Sequence, residues 1–224
     1  MAAPILSLSK TARTRRVNAV LDKLAAEYRT HELAEVTGRD PYRVLIGGIL
    51  SARTKDTQTA PVCRKLFKIA PDPLKLAAVP ERKLKELIRP VGFYNQKSKA
   101  VRETARILLD AHGGTVPSTR DELMALPGVG RKVANLVLSV AFGQAEICVD
   151  THVHRISNRL GWVESDDVLD TEMQLRELLP ASRHRTVNFT LVRHGQECCL
   201  PVAPYCSACP VAEFCARVGI GRSR

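Results

Sequence analysis

No apolar run in this chain of 224 residues approaches the roughly 18 needed to cross a bilayer, so a soluble protein without a membrane partner is expected. No segment alternates apolar and polar residues convincingly at period two, which argues against a sheet. Internal repeats and low-complexity tracts are missing too, which excludes a repeat array. Acidic residues are absent before Asp22, whereas the leader MAAPILSLSKTARTRR carries Lys10, Arg13, Arg15 and Arg16. A flexible basic arm is expected there, with an organelle-targeting leader as the alternative. The seven cysteines lack the even count and spread of a secreted disulfide framework, and five of them crowd the last 27 residues. That pattern points to a metal site in a reducing cytoplasm.

What is present is positive charge and helical periodicity. A formal net charge of +11 and a pI of about 9.6 fit a polyanionic partner, nucleic acid first and an anionic membrane surface second. The length suffices for one large or two small domains. Helix signals recur throughout, so the fold class reads as all-α. Residues 16–29 place Val17, Val20, Leu21, Leu24 and Ala25 on one face. Asp40 and Pro41 open a helix that is apolar nearly all round and therefore central, with Gly47 and Gly48 permitting close packing. Asp56 starts another, Asp72-Pro73 a short one, and residues 81–88 form a further helix. A loop over residues 90–96 presents Phe93 and Tyr94 at its tip. The helix resuming at Lys97 ends at a glycine cap, Gly113 and Gly114. Later helices are expected near residues 151–160, 170–179 and 186–197, and Cys63 and Cys148 read as buried thiols.

The densest stretch runs from Leu126 to Arg155, LPGVGRKVANLVLSVAFGQAEICVDTHVHR. Ser118 and Asp121 stand at capping-box-like spacing ahead of a short helix that Pro127 stops. Gly128 and Gly130 free the backbone and let a bulky partner approach it, while Val129 plugs the turn into the core. A second helix opens at Arg131, so its first N–H groups and positive dipole end suit a phosphate oxygen. A plain corner between two helices would look the same. Lys132, however, falls in the first turn, where the dipole disfavours a cation and lowers the amine's pKa, as a nucleophile requires. The helix from Lys132 to Phe142 rises about 15 Å, and residues 143–150 span up to about 25 Å if extended. The chain can thus run back and set Asp150 beside Lys132, although Asp150 also reads as the N-cap of the next helix.

LPGVGRK followed by VDTHVHR closely resembles the helix-hairpin-helix glycosylase superfamily, in particular its endonuclease III branch. The resemblance implies two helical lobes with a cleft between them, residues 33–144 as a helical barrel domain and 1–32 with 145–224 as a discontinuous iron–sulfur domain. It implies Lys132 as nucleophile and Asp150 as its assistant, in a monomer that removes oxidised pyrimidines from damaged double-stranded DNA and nicks abasic sites. The hairpin residues Gly128, Val129, Gly130 and Arg131 would grip DNA, with Arg53 and Phe93 at positions where the family inserts side chains into the duplex. Bacterial members carry glutamine and leucine there, and arginine, having no acceptor, changes the contact with the unpaired base. The adenine-mismatch branch fits less well, since it typically lacks the lysine and carries a further C-terminal domain, while this chain runs nine residues past Cys215. A non-catalytic DNA-binding module would explain the charge but not the lysine and aspartate.

Cys199, Cys206, Cys209 and Cys215 stand at C-x6-C-x2-C-x5-C. Spacing alone leaves zinc and an iron–sulfur centre open. The resemblance implies a [4Fe-4S] cluster, with Cys198 as a competitor for the first ligand.

Overall fold

The computed structural model describes residue 5, residues 8–28 and residues 32–224. Among them lie twelve α-helices: α1 Lys10–Glu27, α2 Glu32–Thr37, α3 Pro41–Ser51, α4 Asp56–Ile69, α5 Pro73–Ala78, α6 Glu81–Ile88, α7 Tyr94–His112, α8 Arg120–Met124, α9 Arg131–Val140, α10 Thr151–Arg159, α11 Val168–Leu178 and α12 Ala181–Glu197. No strand occurs among the described residues, so the fold is all-α. No helix among them is long and apolar enough to cross a membrane. The chain divides into two compact units, Thr30–Gln144 and a discontinuous one made of Met1–Arg29 and Ala145–Arg224. The expected boundary at residues 32 and 33 falls beside residues 29–31, which lie outside those described, as do residues 1–4 and 6–7.

The continuous unit is built round α3. Asp40 Oδ1 accepts from the Arg43 amide at 2.8 Å and Pro41 fills the first turn, which is the local signature of a helix start. Every residue from Tyr42 to Ser51 except Arg43 is buried, because α2, α4, α7 and α9 all pack on it. Two of those packings need glycine. A Cβ at Gly48 would meet Val133 Cγ1 of α9 at 2.9 Å, and one at Gly47 would meet Thr37 Cγ2 of α2 at 2.9 Å. Pro61 sits inside α4, where it forfeits one amide bond. The discontinuous unit has its own core, in which Val17, Val20, Leu21 and Leu24 of α1 join Val153, Ile156, Trp162, Val187 and Leu191.

Several expected boundaries move. Helix α1 begins at Lys10 rather than Arg16, so Lys10, Arg13, Arg15 and Arg16 are helical and not a flexible arm. Ser9 Oγ caps it, and Arg13 and Arg16 bond the carbonyls of Leu8 and Phe214. Its expected end at Arg29 lies outside the described residues. Tyr94 opens α7 and packs on the core instead of topping a loop. The cap of α8 is Thr119, reciprocated by Glu122, and not Ser118 with Asp121. Helix α11 starts at Val168 under Asp167, and α12 at Ala181 behind Pro180.

Candidate functional sites

The hairpin is assembled in the continuous unit from α8, the turn and α9. Val129 is buried and its amide bonds Leu126 O at 3.1 Å, so the turn is anchored in the core. Thr104 of α7 donates to Pro127 O at 3.2 Å, and Arg120 Nε to Asn135 Oδ1 at 3.0 Å, which ties α8 to α9. Gly128 has φ +78°, and a Cβ there would meet Ala100 Cβ and Ile49 Cγ2, each at 3.2 Å. Gly130 differs from expectation, for its φ of −94° is open to any residue. What glycine supplies at that position is space, since a Cβ would meet nothing within 4 Å. The exposed side of the turn therefore offers bare backbone ahead of a helix N-terminus, the arrangement that receives an anion. Lys132 is the second residue of α9 and is half-buried.

Asp150 belongs to the discontinuous unit. Residues 143–150 form no helix, and Ile147, Cys148 and Val149 are buried. His184 bonds Ala145 O at 3.1 Å and Asn188 donates to Cys148 O at 2.9 Å, fixing that path against α12. Asp150 caps α10, with both capping amides, His152 and Val153, donating to Oδ1 at 2.9 Å. Both capping bonds thus fall on the same carboxylate oxygen.

Arg53 and Phe93, which the resemblance pairs as side chains that enter the duplex, lie side by side. Both are non-glycine residues with left-handed backbones, φ 54° and 58°, a strain of about 1–3 kcal/mol each that clusters at functional sites. The Arg53 guanidinium lies 5.0 Å from the centre of the Phe93 ring, and Phe93 is 52% exposed. Sequence reasoning missed what holds them. Lys97 is only 7% exposed, and its Nζ donates to Leu50 O at 2.7 Å, Ala52 O at 2.6 Å and Thr54 Oγ1 at 2.9 Å. Burial draws this ammonium down to about 8, which still leaves it mostly charged at neutral pH. A usable signal existed, because Lys97 stands on the apolar stripe with Val101 and Ala105 at i+4 and i+8.

All five C-terminal cysteines line one pocket with Ile156, Leu160 and Val211. Burial pushes the Cys198 thiol up to about 12 and raises those of Cys209 and Cys215, so thiolates here need a neighbouring positive centre. Arg159 Nη1 lies 3.4 Å from Cys199 Sγ, and the Arg217 amide 3.4 Å from Cys215 Sγ. Such N–H donors suit the sulfurs of an anionic metal–thiolate centre. The donor set fits a thiolate-bound metal site. Ligand atoms of His194, Cys198 and Cys209 also lie within 4.8 Å of one another, so the buried Cys198 stays a geometric rival. His194 bridges Tyr28 OH at 3.2 Å and Cys209 Sγ at 3.7 Å, and burial draws its pKa down to about 4, keeping it neutral.

Residues 46–181 match the HhH-GPD superfamily base excision DNA repair proteins. Endonuclease III of Thermotoga maritima is 44% identical over 188 residues, covering 83% of this chain and 88% of its own. That of Escherichia coli K12 is 35% identical over 189 residues, covering 84% and 90%. A solved structure of a trapped endonuclease III–DNA covalent intermediate, an estranged-adenine complex, superposes with a TM-score of 0.81 at 36% identity, covering 94% of this chain and 97% of that one. A hairpin that bares its backbone ahead of a lysine-bearing helix, and relatives of this identity along most of both chains, place the protein in the endonuclease III family, DNA glycosylase/AP lyases of base-excision repair within the HhH-GPD superfamily.

Proposed function

We propose that the chain removes oxidised pyrimidines from duplex DNA and nicks abasic sites by β-elimination, with Lys132 as nucleophile and Asp150 as acid–base partner. The observation that carries this reading is the local setting of the two groups. Lys132 stands in the first turn of the helix that follows the bare hairpin, and Asp150 keeps Oδ2 clear of its own capping bonds. The neutral amine attacks C1′ of an extruded nucleotide, the glycosidic bond breaks, and the base leaves with a proton. The sugar ring opens to an imine on Nζ. Loss of a C2′ proton then expels the 3′ phosphate and breaks the strand. Asp150 stabilises the cationic sugar and relays protons. The amides of the turn from Gly128 to Arg131 grip phosphates without reading sequence, while Arg53 and Phe93 enter the duplex.

Residues 33–144 would be the barrel domain, and residues 1–32 with 145–224 the iron–sulfur domain. There Cys199, Cys206, Cys209 and Cys215 would hold a [4Fe-4S] cluster that folds the tail as a structural staple. Borohydride reduction in the presence of an abasic duplex tests the chemistry. Wild type should be trapped covalently, whereas Lys132→Gln should bind the duplex but trap nothing. Trapping retained by that variant removes Lys132 from the role.

A further inference from the structure

Arg53 and Phe93 come from different loops, one after α3 and one before α7, yet they form one stacked, strained and exposed unit. Something must hold two left-handed backbones against relaxation. Thr54 Oγ1 is the node between the loops, accepting from the Gly92 amide at 3.1 Å and from Lys97 Nζ at 2.9 Å. The other two protons of Nζ go to Leu50 O and Ala52 O, at the end of α3. Those are carbonyls that a helix terminus leaves without an intrahelical partner, and a cation is favoured there by the dipole. Gly92 completes the fit, since a Cβ would meet Thr54 Oγ1 at 3.3 Å and Arg53 O at 3.5 Å.

We propose that Lys97 is a positioning residue, whose buried ammonium locks the end of α3, Thr54 and the Gly92–Phe93 turn into one rigid wedge carrying Arg53 and Phe93. The inference rests on the reading that these two side chains enter the duplex. An ammonium suits the task because it offers three donors on one compact centre, one for each acceptor at the junction. Wedge rigidity matters only when a base pair must be opened. Single-stranded substrate makes no such demand.

The test compares Lys97→Met and Thr54→Val with wild type on an abasic site in duplex and in single-stranded oligonucleotide. Both variants should lose at least tenfold in kcat/KM on the duplex and stay within twofold on the single strand. A duplex with a tetrahydrofuran abasic analogue and a neighbouring 2-aminopurine reports unstacking without chemistry, and its fluorescence rise on binding should shrink in both. Equal losses on both substrates, or a full fluorescence rise, would overturn the assignment in favour of a merely structural lysine. Should wild type cleave neither substrate, the lyase reading fails instead, and the fluorescence signal still judges Lys97. Thr54→Val keeps the buried ammonium and removes only the hydroxyl between the loops, so it serves if Lys97→Met does not fold.

Discussion

The two hairpin glycines should fail in opposite ways when each is replaced by alanine. At Gly128 the new methyl inherits φ +78° and contacts of 3.2 Å with Ala100 and Ile49. The left-handed backbone costs about 1 kcal/mol and the crowding about 1–2 more. At roughly 2–4 °C per kcal/mol for a chain of this size, melting should fall by about 5–10 °C. At Gly130, φ is −94° and the space is open. A weaker N-cap costs about 0.5 kcal/mol, which the lower entropy of the unfolded chain offsets by about as much, so melting should barely move. That methyl instead projects where a phosphate would approach the α9 amides. Losing one charge-assisted contact, about 1.5 kcal/mol, weakens binding about tenfold. Calorimetry and fluorescence anisotropy on an abasic-analogue duplex separate the two effects. Wild-type affinity in Gly130→Ala, or a melting drop matching that of Gly128→Ala, would refute the bare-backbone grip.

Three further outcomes are expected. Asp150→Asn keeps a good N-cap, so melting should stay within about 2 °C while lyase turnover drops about 100-fold or more; unchanged single-turnover rates would deny the carboxylate its role. Cys199→Ser should abolish the visible iron–sulfur absorbance of the purified protein and Cys198→Ser should preserve it, the reverse result transferring the ligand to Cys198. For Lys97, burial sets about 8 in the fold against an ordinary 10.5, so between those values the unfolded chain holds the extra proton. Stability relative to Lys97→Met should therefore rise with pH across that window, by at most about 3 kcal/mol, and a flat difference in urea melts would contradict a depressed ammonium.

Where a helix start depends on one side chain and the amides just beyond it, the sequence located three of them to the residue and missed those of α8 and α11, capped by Thr119 and Asp167. Asp40, Asp72 and Asp150 all cap where expected, and Gly113 closes α7 with φ 58°. Where the start depends on distant partners, it did not. The first two turns of α1 are basic and nearly free of apolar residues, and they are fixed by the Arg16 bond to Phe214 O, nearly two hundred positions away. Tyr94 reads as a loop tip from the sequence because it sits in the stretch between Pro90 and Gln96, but a left-handed Phe93 turns the chain so that Tyr94 packs on the core. Backbone sign is a tertiary outcome at such positions. No propensity announces it in a phenylalanine.

The candidate site divides along the same line. Lys132, Asp150 and the cysteines stand out because the proposed chemistry calls for their residue types at those spacings, and Lys132 is found in the first turn of α9 and Asp150 as the N-cap of α10. Lys97 needed coordinates, although its misplacement in an apolar stripe was visible. A second buried charge shows how to interpret such misplacement. Glu172 in α11 is 2% exposed and bonds Arg176, which also reaches Glu146. That charge is neutralised by another charge, and the group fastens elements of its unit together. Lys97 spends its three donors on two carbonyls and a hydroxyl, so its charge is met by dipoles belonging to the backbone it immobilises. Replacing an ion pair by apolar residues of like volume is often tolerated. Replacing Lys97 removes the donor shared by Leu50 O, Ala52 O and Thr54 Oγ1, and with it the reason those loops hold a strained shape. A lone cation on a helix stripe, aimed at the end of another helix, is therefore the sequence pattern to seek when a loop must be held rigid for work on a duplex.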